Sequence, residues 1–165
     1  ALDDIVHATF NLTDAGGALH VTTAVATPLV VTARTFNDTA AGTLGQFLQA
    51  VTPADAVGNG ERSLQLLQME DSPRYRTNLG LAEVTGKPAT AEVTVILPDS
   101  KVAPKVQIPL AAFEYRQFPI ISSLVSGNVY NARISVRVID GQGKVTAYGS
   151  VIDQKTQDPT FVPAQ

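Results

Sequence analysis

The sequence predicts an all-β protein: an antiparallel, immunoglobulin-like β-sandwich with an internal duplication and one or two short helical turns. Three observations predict it. Val and Thr dominate, Trp is absent, Met occurs once, and 12 Gly and 10 Pro are scattered as punctuation, which is strand-and-turn composition. Several segments alternate apolar and polar residues, the mark of half-buried antiparallel strands. The last third of the chain also repeats the first third at an offset of 114 to 116. Val31-Thr32-Ala33 matches Val145-Thr146-Ala147, and Phe47-Leu48-Gln49-Ala50 matches Phe161-Val162-Pro163-Ala164. Asn37-Asp38 matches Ile152-Asp153, Ala18 to Val21 matches Ala132 to Ser135, and Leu2 to Ile5 matches Phe118 to Ile121. Such self-similarity marks repeated structural units.

Each element follows in order. Asp3 or Asp4 can cap a turn or two of helix carrying Ile5, Val6 and Phe10. A strand competes for this segment, since Val6, Ala8, Phe10 and Leu12 also alternate. Gly17 to Thr23 and Leu29 to Asn37 read as two strands joined around Pro28. Asp38 to Gly45 and Thr52 to Gly60 read as loops on their Thr, Asp, Asn and Gly content. Four strands follow: Ser63 to Met69, Tyr75 to Val84, Thr90 to Leu97 and Lys105 to Phe113, with a short fifth at Tyr115 to Phe118. Pro119 to Val125 reads as a second helical turn, with Pro near its start. Ala132, Ile134, Val136 and Val138 form the clearest apolar face, opposite Arg133, Ser135 and Arg137. Asp140 to Gly143 then supplies a turn, and Lys144 to Asp153 is expected to run back as a hairpin. The duplication predicts that Leu19 to Phe36 superposes on Ile134 to Val151. The expected core contains Val21, Val31, Val93, Val95, Ile134, Val136 and Val138.

A chain of 165 residues suits one domain with a sizeable core. Residues 1–165 are read as a single sandwich domain, with 1–50 a partial repeat and 51–165 a complete one. Hydrophobic residues make up 44% and charged residues 16%, which excludes a disordered chain. The absence of cysteine excludes disulfides and thiolate metal sites. The net charge is −3, and no Lys or Arg lies before Arg34 or between Arg34 and Arg62. Phosphate backbones need clustered cations, so nucleic acid is not an expected partner. No apolar run reaches the roughly 20 residues of a membrane helix, and no signal-peptide pattern is present. A start at Ala1 fits a processed mature chain and a fragment equally.

No residue is assigned a catalytic, cofactor-binding or metal-binding role, and no cofactor is expected. His7 and His20 are the only histidines and lack ligand spacing. Asn37-Asp38 and the pair Asp153 and Asp158 are oxygen-rich, yet Asx-turns explain them without calcium. No GxSxG elbow occurs, and Gly58-Asn59-Gly60 has no following Lys-Ser or Lys-Thr. Arg34 and Arg76 sit in strands and are expected to tie down nearby groups. Asn11-Leu12-Thr13 and Asn37-Asp38-Thr39 are formal N-glycosylation sequences.

Four motifs occur in series: Arg34-Thr35-Phe36-Asn37-Asp38, Gly42 to Phe47, Arg76-Thr77-Asn78-Leu79-Gly80-Leu81, and the ending Ala147 to Ala164. With the opening Leu2-Asp3-Asp4-Ile5-Val6, they resemble a β-sandwich repeat domain of large secreted proteins of environmental bacteria, of acidobacterial and myxobacterial type. The resemblance spans essentially the whole chain. It implies an extracellular or cell-surface setting and carries no catalytic residues. Members of that group begin with an earlier strand block, which this chain lacks.

The expected function is therefore an extracellular, non-enzymatic structural or adhesive module, a subunit of a surface assembly or filament. The competing expectation is a carbohydrate- or matrix-binding accessory domain of a secreted hydrolase, served by Tyr75, Tyr115, Tyr130 and Tyr148. Expected partners are other proteins or further copies, joined through a sheet edge, and polysaccharide in the competing case. The first dozen residues would be the donor strand if extended.

Overall fold

The computed structural model describes residues 2–24, 29–40 and 42–165. Among these residues ten strands and two short helices follow in order: α1 (Ile5–Phe10), β1 (Thr32–Thr39), β2 (Gly42–Gln49), β3 (Leu64–Asp71), β4 (Tyr75–Glu83), β5 (Ala89–Ile96), β6 (Val106–Leu110), β7 (Tyr115–Phe118), α2 (Ile120–Leu124), β8 (Val129–Gly141), β9 (Val145–Asp153) and β10 (Pro159–Pro163). Two four-stranded antiparallel sheets, β10-β9-β4-β7 and β3-β8-β5-β6, form the sandwich. A third sheet is the β1-β2 hairpin alone.

Alternation explains which side chains meet in the centre. Ala89, Ala91, Val93 and Val95 of β5 are buried, as are Ala132, Ile134, Val136 and Val138 of β8. Leu79 and Leu81 of β4 and Val145 and Ala147 of β9 face them from the other sheet. The period breaks once along β3 and β8. Gln68 and Asn131 both take positive φ where the β3–β8 register shifts, a bulge that returns Met69 and Ala132 to the core. Gln65 and Gln165 exchange backbone hydrogen bonds of 2.8 and 3.0 Å, closing one side of the sandwich. Val57 and Val145 do the same at 3.0 and 2.8 Å and pin the segment before β3.

The most heavily bonded buried side chain is Glu83, at the end of β4. Its carboxylate accepts hydrogen bonds from the Thr85 N–H and hydroxyl and from the N–H groups of Gly86, Lys87, Phe113 and Lys144. One group thus joins the β4–β5 turn, the loop before β7 and the start of β9. Burial pushes this carboxyl up. The hydrogen bonds from Phe113, Thr85 and Gly86 outweigh burial and hold it down at about 2, against an ordinary 4.5.

Four expectations need correction. Gly17 to Thr23 forms no strand; its match, β8, lies between β3 and β5 and is held from both sides, whereas the front of the chain has no such flanking pair. The expected connection around Pro28 lies outside the described residues. Of the expected loop Asp38 to Gly45, residues 38–39 and 42–45 are paired strand at the end of the β1-β2 hairpin, whose register runs from Thr32↔Gln49 to Thr39↔Gly42; threonine supports a strand there more than glycine opposes it. β8 and β9 do not form a hairpin, and Leu19 to Phe36, which has no strand over 19–23, does not superpose on Ile134 to Val151 as expected. The Asp140–Gly143 turn, with Gly141 at φ 92°, crosses between sheets, because the edges of β8 are taken by β3 and β5 and those of β9 by β10 and β4. Finally, Val21 is exposed and Val31 only half-buried, while the other five expected core residues are buried.

The helical turns form at both expected places. Asp4 stands at the N-cap of α1 in the left-handed region and makes no side-chain cap bond. With residues 5–10 helical, the first dozen residues are not an extended donor strand. No helix among the described residues is long and apolar enough to cross a membrane.

Candidate interaction surface

The front of the chain carries apolar side chains without a core. Among the described residues before Ala56, none is buried. Phe10, Leu12, Leu19, Val21, Phe36 and Phe47 are all about half exposed, and Val30 is 95% exposed. Scattered apolar residues are ordinary on a surface, whereas such a concentration in one stretch points to an interaction.

This arm is fastened to the sandwich at few points. The Gly45 N–H donates to Asp158 Oδ1 at 3.2 Å, and the Ser150 hydroxyl donates to Gln46 Oε1 at 3.1 Å. His20 meets Phe113 edge-on, with centroids 4.6 Å apart. The first two contacts bring β2 beside β10 on the outer face of the β10-β9-β4-β7 sheet. A two-stranded hairpin is marginal by itself in water, so these anchors and any further partner decide its persistence.

The same outer face carries an aromatic group. The Tyr148 ring stacks on Phe161, with centroids 5.2 Å apart. It also occupies the space a Cβ would need at Gly80. The Tyr148 and Tyr115 hydroxyls are 2.7 Å apart and lie 2.6 and 2.7 Å from Gln117 Oε1, so one of them donates to the amide oxygen and the other donates to its neighbouring hydroxyl. Burial, followed by the Tyr115 hydrogen bond, pushes the Tyr148 phenol up and keeps it neutral. Gly80→Ala should displace the ring and cost roughly 1–3 kcal/mol by overpacking. Denaturant unfolding measures the loss, and near-ultraviolet circular dichroism should lose the tyrosine signal.

The residues singled out in the sequence scatter. His7 lies 3.8 Å from Asp4 on the exposed α1, far along the chain from the contact His20 makes with Phe113. Arg34 donates to the Thr43 hydroxyl at 3.2 Å and lies 5.5 Å from the Phe36 ring centroid. Arg76 donates to Gln157 Oε1 at 2.9 Å and ties down the β9–β10 connection. Asp153 accepts from the N–H groups of Lys155 and Thr156, an Asx-turn. Those backbone bonds hold its carboxyl below the usual range. Tyr75 lies under the Arg74 guanidinium, and Tyr130 is exposed on β8. Asn11 caps the C-terminus of α1, and Asn37 lies in β1. Among the described residues no three His, Cys, Asp or Glu side chains gather.

The open concavities are shallow. One of about 280 Å³ lies over Glu92, Lys105 and Arg137, where Glu92 accepts from both cations at 3.0 Å. Another of about 210 Å³ lies between β6 and β7, beside Arg116 and Phe118. Neither encloses a reactive constellation. Sequence reasoning missed Glu83 and the Tyr115–Tyr148 pair, because each is assembled across strands remote in sequence. Glu83 carried one local signal, the Thr85-Gly86 turn directly after a strand end.

No protein-family model matches this chain, and no curated protein matches it. Among solved structures it is similar to that of Thermotoga maritima 1070, at a TM-score of 0.49 and 13% identity, covering 65% of this chain and 92% of that one. Nothing about function is carried over from a likeness at that level.

Proposed function

We propose that the protein is a non-enzymatic structural module that joins a neighbouring subunit through its front arm, in an extracellular or cell-surface assembly. The observation that carries this is the arm itself: residues 2–50 bury none of their described side chains yet hold most of the exposed large apolar residues. Full burial of an exposed Leu, Val or Phe is worth roughly 1.5–3 kcal/mol, and a side chain already half covered gains about half of that. A handful of such residues therefore supplies a substantial driving force. The β1-β2 hairpin pairs only with itself, and open strand edges favour pairing with another chain. The extracellular setting rests on the sequence resemblance alone.

Light scattering over a concentration series tests this. The full chain is expected to associate as concentration rises, while residues 51–165 stay monomeric and folded. A full chain that remains monomeric at high concentration, with the arm as protease-resistant as the sandwich, would contradict the proposal.

A further inference from the structure

Of the two edges of the β1-β2 hairpin, one is occupied and one is open. The Gly45 N–H points at Asp158, beside β10, and not at β1. Along an antiparallel strand, successive residues turn their backbone groups to opposite sides. Phe36, the partner of Gly45, therefore stands where the two hairpin strands exchange no bonds. Its N–H and C=O face away from β2. Arg34 and Asp38, two residues to either side, turn theirs the same way. Among the described residues, β1 pairs with β2 alone, and no other backbone bond reaches these groups. Edge strands are usually blunted by lysine, proline or a bulge. β1 contains no Lys or Pro, and its register with β2 runs without a shift.

The side chains on this edge are self-complementary. The only charges of β1 are Arg34 and Asp38, placed symmetrically about Phe36. An antiparallel pair of β1 strands related by a twofold axis at Phe36 sets residue 36 against its own copy and residue 34 against residue 38. Phe36, 59% exposed, then meets a second ring, and Arg34 meets Asp38 at both ends. Aromatic and opposite-charge pairs directly across a ladder are stabilising. The outward N–H and C=O groups of residues 34, 36 and 38 come into register together. Charge selects this register over its neighbours. Centring on Thr35 leaves Asp38 opposite Thr32, and centring on Asn37 leaves Arg34 opposite Ala40. Within one chain, Arg34 reaches the Thr43 hydroxyl and the Phe36 ring, and Asp38 has no side-chain partner among the described residues.

Resting on the function proposed above, we infer that the arm's partner is the arm of a second copy of this chain. The two join β1 to β1 in an antiparallel β2-β1-β1-β2 sheet centred on Phe36. Such a contact uses the same surface on both subunits and closes, so this edge yields a dimer and not a filament.

Charge reversal tests it. Arg34→Asp sets carboxylate against carboxylate at both ends of the ladder, and Asp38→Arg sets guanidinium against guanidinium. Sedimentation equilibrium at low salt should show each variant self-associating more weakly than the natural chain, on the order of tenfold or more. An equimolar mixture of the two variants should recover the affinity as one-to-one dimers, because every charged pair is then opposite again. The melting temperature of the sandwich should stay unchanged in both, since no described arm side chain is buried. Variants that associate as tightly as the natural chain, or a mixture that fails to recover, overturn the inference. If the natural chain itself associates in that experiment, the proposed function survives the failure. A natural chain that stays monomeric at high concentration removes both.

Discussion

Replacing Glu83 with Ala is expected to destabilise the sandwich by roughly 3–5 kcal/mol, because it leaves buried donors from three segments without an acceptor. The donors come from Thr85, Gly86, Lys87, Phe113 and Lys144, and no other side chain reaches all of them. Glu83→Gln should cost less, since one oxygen still accepts. The carboxylate also makes stability depend on pH. Its folded pKa of about 2 lies below the ordinary 4.5, so its contribution is fully present above 4.5 and is lost as pH falls toward 2. That contribution is roughly 3 kcal/mol. Urea unfolding between pH 7 and pH 2.5 should show the wild type losing stability over this window, with the decline much reduced in Glu83→Gln. An equal decline in both proteins would assign the acid sensitivity to other carboxylates.

Ile134→Ala is expected to cost roughly 2–4 kcal/mol, and Leu19→Ala close to nothing. Ile134 is fully enclosed between the sheets, and its truncation loses burial and leaves a cavity. Leu19, in the front segment that corresponds to β8, stands about half exposed, so truncation removes little packing. Parallel denaturant titrations measure both. Similar losses at the two positions would mean that the arm is packed as firmly as the sandwich.

The sequence disclosed the sandwich because β5 and residues 132–138 of β8 alternate cleanly and the strands are bounded by Gly, Pro and Asp. β7 was legible to the residue, and the two helical turns to within one or two. Pairing was less legible. β8 and β9 look like a hairpin because they are consecutive and joined by a Gly-containing turn, yet each already has two better-matched neighbours in different sheets. Propensity cannot say which edges are taken. The front half was misjudged for a related reason. Gly17 to Thr23 has a strand-like sequence, but a strand requires partners, and the residues that partner its counterpart occur once in the chain. The hairpin tip at Asp38 to Gly45 shows the opposite error. Its small residues look like a loop, but backbone pairing across β1 and β2 decides its conformation. The likeness of the arm to the rear of the sandwich was legible through the repeat, whereas its lack of burial needed the fold.

Hydrogen exchange across the natural chain at low concentration measures the central division directly. Amides of β4, β5, β8 and β9 should exchange only through global unfolding, the β1-β2 hairpin should exchange faster, and residues 17–24 should exchange at nearly the unprotected rate. Protection of residues 17–24 equal to that of β8, in a monomer, would show that the arm is already part of a closed core.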